Sequence, residues 1–220
     1  MAATTEESLP GKDAMDLIED GSPLASLTLL LAHGAGTPMD HPWLSAFAGS
    51  VALADCRVVR FEFPYMARCR VDGKRRPPDR EQILLDAFRE AHAACGSTRV
   101  VVGGKSMGGR MASMVADELG AAGLLCLGYP FHPPGRPDRT RTAHLESLST
   151  PTLIVQGTKD PFGGPDDVAG YTLSPSIVID WIVGAGHDLI PPRQRAKPLA
   201  SSLDRAVVDS LAFLQEVART

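Results

Sequence analysis

Short, unbroken apolar runs alternate along this chain with segments whose apolar residues recur at helical spacing, and few folds accommodate that alternation. Residues 27–32 read LTLLLA, Arg57–Phe61 read RVVRF, 99–102 read RVVV, and further runs lie at 124–127, 152–155 and Ile177–Ile182. Between them, 41–54, 79–95, 107 to 119 and 201–217 carry the helical period, as in Ile83, Leu84, Ala87 and Ala91 or Leu203, Val207, Leu211 and Leu214. A strand apolar at every position is buried on both faces. Strands of this kind separated by helices predict an α/β fold, with a mainly parallel central sheet and helices on both faces. The 220 residues show no internal repeat and no Gly/Ser-rich linker. We therefore expect a single domain over 26–220, preceded by a polar arm or short hairpin over 1–25, where Pro10, Gly11, Gly21 and Pro23 interrupt the chain.

Charge and composition narrow the function classes. The formal net charge of -4 is opposite to the basic excess of a general nucleic-acid binder, so no nucleic-acid partner is expected. No apolar run approaches the ~20 residues that span a bilayer, so no membrane partner is expected either. The first residues, MAATTEE, have neither a basic n-region nor an apolar h-region. With four cysteines outside any CxxC or metal-ligand spacing, this predicts a cytoplasmic protein with reduced, buried thiols and no metal site. Nothing in the sequence signals an oligomeric state.

In open α/β sheets ligands bind beyond the carboxyl ends of the strands, so the residues that follow each run matter most. After 99–102 comes GGKSMGGR, which contains Gly104-x-Ser106-x-Gly108. A serine on a sharp strand-to-helix turn needs side-chain-free neighbours, and the helix that follows aims its N-terminal N–H groups at the site. Gly104-Lys105-Ser106 is also the tail of a phosphate-binding GxxxxGK[ST] loop. That motif requires glycine where Arg99 stands, and a loop where Val100, Val101 and Val102 form a strand. The same glycines are also compatible with a simple packing turn.

A serine nucleophile requires a base and an orienting carboxylate, in the chain order Ser, Asp, His on this fold. Asp160 lies in the turn after the fifth run, with Asp166 and Asp167 as more distant alternatives. His187 lies in a Gly-rich turn after the sixth. The first run ends in His33-Gly34-Ala35-Gly36, the position of one oxyanion donor; Ala35 is preferred with Gly36 close behind, and the N–H of Met107 is the second donor. His33 reads as a brace for that loop. Tyr65, Met66, Phe131 and His132 also follow strands and are candidate pocket residues, with plain packing the equal alternative. Arg68, Arg70, Lys74, Arg75 and Arg76 suit either an anionic substrate or, preferably, a solvated loop.

The motifs LAHGAG followed by Met39-Asp40-His41-Pro42, FEFPYM (61–66), GGKSMGGR (103–110), LGYPFHPPG (127–135), QGTKDPFG (156–163) and GAGHDL (184–189) resemble the α/β-hydrolase superfamily over nearly the whole chain after the arm. The resemblance is closer to the small lidless branch that includes dienelactone-hydrolase-like proteins and the testis-expressed protein 30 and NSL-complex subunit 3 group. It implies an α/β-hydrolase fold without a large cap domain, since only 129–149 separate the fourth and fifth runs. It also implies a Ser106, Asp160, His187 triad that needs no metal or organic cofactor. The chain departs from dienelactone hydrolase, whose nucleophile is cysteine. The resulting expectation is a serine hydrolase of the carboxylesterase or thioesterase kind, acting on a small-molecule acyl substrate through an acyl-enzyme. Some relatives serve as complex subunits, which makes a non-catalytic scaffold module the alternative.

Overall fold

The computed structural model describes residues 15–219. Seven strands, β1 (Leu17–Asp20), β2 (Thr28–Ala32), β3 (Arg57–Phe61), β4 (Val100–Lys105), β5 (Gly123–Leu127), β6 (Thr152–Gly157) and β7 (Ile177–Ile182), form one sheet in the order β1-β3-β2-β4-β5-β6-β7. Every pairing is parallel except β1 with β3. Helices α1 (Pro42–Ala52) and α7 (Asp204–Arg219) pack with one face of the sheet; α2 (Pro64–Asp72), α3 (Glu81–Ala94) and α4 (Met107–Val115) pack with the other. Two short helical turns, α5 (Pro165–Val168) and α6 (Leu199–Ser202), complete the set.

The side-chain period of two explains why the apolar runs are continuous. In β2, Leu29 and Leu31 pack with Phe47 of α1 and Leu214 of α7, whereas Leu30 and Ala32 pack with Phe88 of α3 and Met111 of α4. Both faces are core, so Leu29 to Ala32 run without a polar residue. Glycines lengthen β4 beyond the expected 99–102: Gly103 lies so close to β5 that a Cβ there would stand 2.4 Å from the Leu125 carbonyl oxygen. Sterics thus exclude a side chain where the hydrogen-bonded ladder continues.

Two expectations are corrected. The arm expected over 1–25 is in part a strand of the sheet: β1 pairs antiparallel with β3, tied down by Arg57 to Glu19 (2.7 Å) and by the buried Arg60 to Asp20 (2.8 Å). Residues 1–14 lie outside the described residues. The basic stretch 68–76 is not a plain loop, because its first half belongs to α2, started by Pro64 and ended by Gly73 at φ 69°. Arg70 pairs with Asp40 (2.9 Å) and Glu62 (2.7 Å), Arg68 with Asp79 (2.5 Å) and Arg76 with Asp72 (2.5 Å). These cations are occupied by the protein's own carboxylates. Residues 129–149 hold one 3-10 turn, Ala143–Leu145, and no large cap.

The chain passes from β2 outward to β3 and returns to the opposite side of β2 as β4. The carboxyl ends of β2 and β4, with Ala32 opposite Gly104, therefore flank the point where the strand order reverses.

Candidate active site

Ser106 occupies the turn between β4 and α4 at φ 53°, ψ −115°. A non-glycine residue there carries strain of about 1–3 kcal/mol, which the surroundings must over-determine. Ser106 N–H donates to the Leu127 carbonyl (3.0 Å), and its own carbonyl accepts from Arg110 N–H (3.0 Å). The turn closes only because its flanks lack side chains. A Cβ on Gly104 would lie 2.5 Å from the Gly108 carbonyl carbon, and one on Gly108 would lie 2.5 Å from the Ala32 oxygen. Met107, as the first residue of α4, has no acceptor for its N–H within the helix.

Ser106 Oγ lies 2.8 Å from His187 Nε2, and His187 Nδ1 lies 2.8 Å from Asp160 Oδ2. A carboxylate only accepts, so Nδ1 carries the proton and Nε2 is the acceptor that faces the serine hydroxyl. The turn after β6 supplies Asp160 and the turn after β7 supplies His187. The two turns interlock where Gly157 lets the Ala185 carbonyl approach to 2.4 Å of its absent Cβ. The Asp160 side chain is wholly buried; the His187 side chain is 25% exposed, enough for a reacting molecule to reach it. Phe162 covers one face of the imidazole at 4.4 Å between ring centroids. Asp166 and Asp167, the alternative acids, lie on α5 instead, where Asp167 accepts from Gly164 N–H (2.9 Å).

Sequence reasoning missed Gln156. It is completely buried, exchanges two hydrogen bonds with the backbone of Tyr129 (2.7 and 3.1 Å), and points Nε2 at Asp160 Oδ2 (3.0 Å) and at the Gly163 carbonyl (3.1 Å). Phe162 N–H bonds the other carboxylate oxygen (2.9 Å). A glutamine inside the apolar TLIVQG strand, where no polar residue is otherwise needed, is the one signal that could have found it.

His33 braces the loop after β2, as expected. Its Nδ1–H donates to Gly34 O (2.8 Å) and its Nε2 accepts from Phe63 N–H (3.0 Å). Burial lowers its pKa and keeps it neutral, which this pair of bonds requires. Gly36 N–H donates to Tyr65 Oη of α2 (3.3 Å) and is so occupied, whereas Ala35 lines a cavity together with Ser106.

A cavity of about 420 Å³ opens beside Ser106 and His187, lined on its apolar side by Trp43, Leu44 and Phe162. The four expected pocket residues do not form its wall. Tyr65 and Phe131 are fully buried, and Met66 and His132 are nearly so. Phe131 packs against Tyr129 (4.8 Å between ring centroids), and His132 Nδ1–H donates to Pro133 O (2.8 Å). The first turn of α2 carries Tyr65 and Met66 on its buried face, and the segment after β5 turns Phe131 and His132 inward, into the core.

Lys105 is the unusual neighbour. Its Nζ is buried without a hydrogen-bond partner, 5.7 Å from the Trp43 ring centroid, in space that Gly128 leaves open. Burial pushes its ammonium down to about 8 against the opposing pull of Asp160 and Asp188.

The sequence matches the family model of the alpha/beta hydrolase domain over residues 25–215. The chain belongs to the alpha/beta hydrolase family. Solved structures share the fold of this alpha/beta hydrolase. The lidless serine hydrolase XC6422 from Xanthomonas campestris is 18% identical, with 93% of this chain and 88% of that one covered and a TM-score of 0.62. A thermophilic esterase from Thermogutta terrifontis is 18% identical over 93% and 94%, with a TM-score of 0.67. Est1E from Butyrivibrio proteoclasticus is 12% identical over 93% of each chain, with a TM-score of 0.68.

Proposed function

We propose that this hydrolase is a serine esterase or thioesterase working on small acyl substrates through a Ser106, His187, Asp160 triad. The carrying observation is the unbroken line of two 2.8 Å hydrogen bonds from Asp160 through His187 to Ser106. Ser106 Oγ attacks the substrate carbonyl carbon while His187 Nε2 takes its proton. Asp160, the acceptor of the Nδ1–H bond, stabilises the imidazolium that results. The N–H groups of Met107 and Ala35 receive the developing oxyanion. His187 then returns the proton to the departing alcohol or thiol, leaving Ser106 acylated, and a water activated by the same histidine releases the acid. Cys56, Cys69, Cys95 and Cys126 are all free thiols, which supports a reducing cytoplasmic setting.

A fluorophosphonate probe tests the reading without knowledge of the substrate. Stoichiometric labelling that is lost in Ser106→Ala is expected. Absence of labelling on folded protein overturns it.

A further inference from the structure

A second cavity, of about 340 Å³, meets the first at Ser106, Ala35 and Phe162, and its character is different. Its wall includes Met107, Arg110 and Arg141. Two carboxylates also border it: Asp79 pairs through Oδ1 with Arg68 (2.5 Å) while its Oδ2 is buried without a partner, and Glu81 pairs with Arg110 (2.5 Å). That leaves Arg141. Among the described residues no carboxylate pairs with it and its guanidinium makes no hydrogen bond, whereas Arg68, Arg70, Arg76, Arg110 and Arg195 each have a carboxylate partner.

Arg141 is also held in place. Its N–H donates to Phe131 O (2.7 Å), and its carbonyl accepts from Tyr129 Oη (2.9 Å), both from fully buried residues that follow β5. Burial, and the charge of Arg110 behind it, lower its pKa, so the guanidinium sits in surroundings that disfavour its positive charge. Arg110 Nε is itself buried without a partner. Arg110 and Arg141 thus share the wall with two carboxylates, one paired with Arg110 and the other with Arg68, so Arg141 has no counter-charge of its own and its five N–H donors are unspent. Leaving a partly desolvated cation without a counter-charge is costly; an incoming anion offsets that cost and gains charge-assisted hydrogen bonds.

We propose that Arg141 is a specificity residue and that the preferred substrate carries a carboxylate on the side of its scissile bond that enters this cavity, with an apolar group on the other side against Trp43 and Leu44. This deepens the serine-hydrolase reading and rests on it. The same anion has two routes into the cavity, in the acyl part or in the leaving group, and matched probes separate them.

The experiment uses pairs of activated phosphonates that label a nucleophilic serine, identical except for a terminal carboxylate in one and a methyl in the other. One pair carries the difference on the phosphorus alkyl arm, the other on the leaving group. The rate constant for labelling of the intact protein is measured at low ionic strength. The expected result is a preference for the carboxylate of about tenfold or more in at least one pair. Arg141→Met brings that ratio to about one, Arg141→Lys keeps part of it, and added salt weakens it. Labelling with no carboxylate preference in either pair, or a preference that survives Arg141→Met, overturns this inference and leaves the hydrolase reading standing. Failure of every probe to label folded protein overturns both.

Discussion

Gln156 Nε2 donates to Asp160 Oδ2 at 3.0 Å, in a place closed to solvent, so the carboxylate that bonds His187 is set by a neutral side chain near the end of β6. The same carboxamide anchors Tyr129 at the end of β5, which couples the acid's position to the next strand. Gln156→Leu strands the Tyr129 N–H without a partner and leaves the Tyr129 carbonyl only its bond from Phe131 N–H (3.1 Å), and is expected to cost about 2 kcal/mol of stability. With Asp160 then held only by Phe162 N–H and His187, kcat is expected to fall about tenfold with little change in KM, the split expected of a residue that acts through another. Urea melts and steady-state kinetics on an ester that the wild type cleaves check both. Gln156→Glu instead sets a second carboxylate against Asp160, which raises the pair's pKa, so that variant is most stable in acid and loses stability as pH rises.

Ser106 holds its left-handed conformation at the cost of backbone strain. Glycine adopts that region without penalty and alanine does not. Ser106→Gly is therefore expected to be more stable than Ser106→Ala by about 1 kcal/mol, while neither is labelled by a fluorophosphonate. Denaturant midpoints of the two variants decide the first part. Equal midpoints would show that the turn relaxes.

Gly108 faces two backbone oxygens, of Ala32 and His33, at 2.5 and 2.6 Å from where its Cβ would be. Neither oxygen is free to yield, since both belong to the end of β2 and the loop that carries Ala35. Gly108→Ala should destabilise by about 2 kcal/mol or more and lower kcat by displacing that loop. Gly49→Ala, inside α1 with no atom near the new methyl, is the matched control and should stabilise by about 0.5–1 kcal/mol. Thermal melts of the two variants give the comparison.

Lys105 titrates in the fold at about 8, below its ordinary 10.5. Below pH 8 both folded and unfolded chains hold the proton and the burial penalty is fully present. Between pH 8 and 10.5 only the unfolded chain holds it, so stability gains with rising pH. The full penalty corresponds to about 3 kcal/mol. Lys105→Met is expected to raise the melting temperature at pH 7, with the advantage over wild type shrinking as pH is raised toward 10. A pH series of melts on both proteins reads this directly, and an advantage independent of pH would contradict it.

Much of the site is legible in the amino-acid sequence because its signals are local. Gly104, Ser106 and Gly108 sit within five residues, and Asp160 and His187 each follow a strand at once. The loop of His33 and Ala35 is legible for the same reason. β1 is not, because LIED is short, half polar and partnered only at the sheet edge, where Arg57 and Arg60 of β3 hold it. α2 is obscured by Arg68 and Arg70, whose charges are neutralised by Asp40, Glu62 and Asp79, all three outside the helix.

The pocket shows the same division. Tyr65, Met66, Phe131 and His132 follow strands just as the site residues do, but position along the chain does not tell which way a loop turns its side chains. The sequence by itself determined the α/β alternation and the elbow that carries Ser106, since hydrophobic period and glycine sterics act over a few residues. Only the tertiary structure decided that Gln156 holds the Asp160 carboxylate and that the Lys105 ammonium is enclosed while Arg141 is left unpaired. Those facts depend on which distant groups arrive beside them, and burial and charge compensation are properties of the assembled fold.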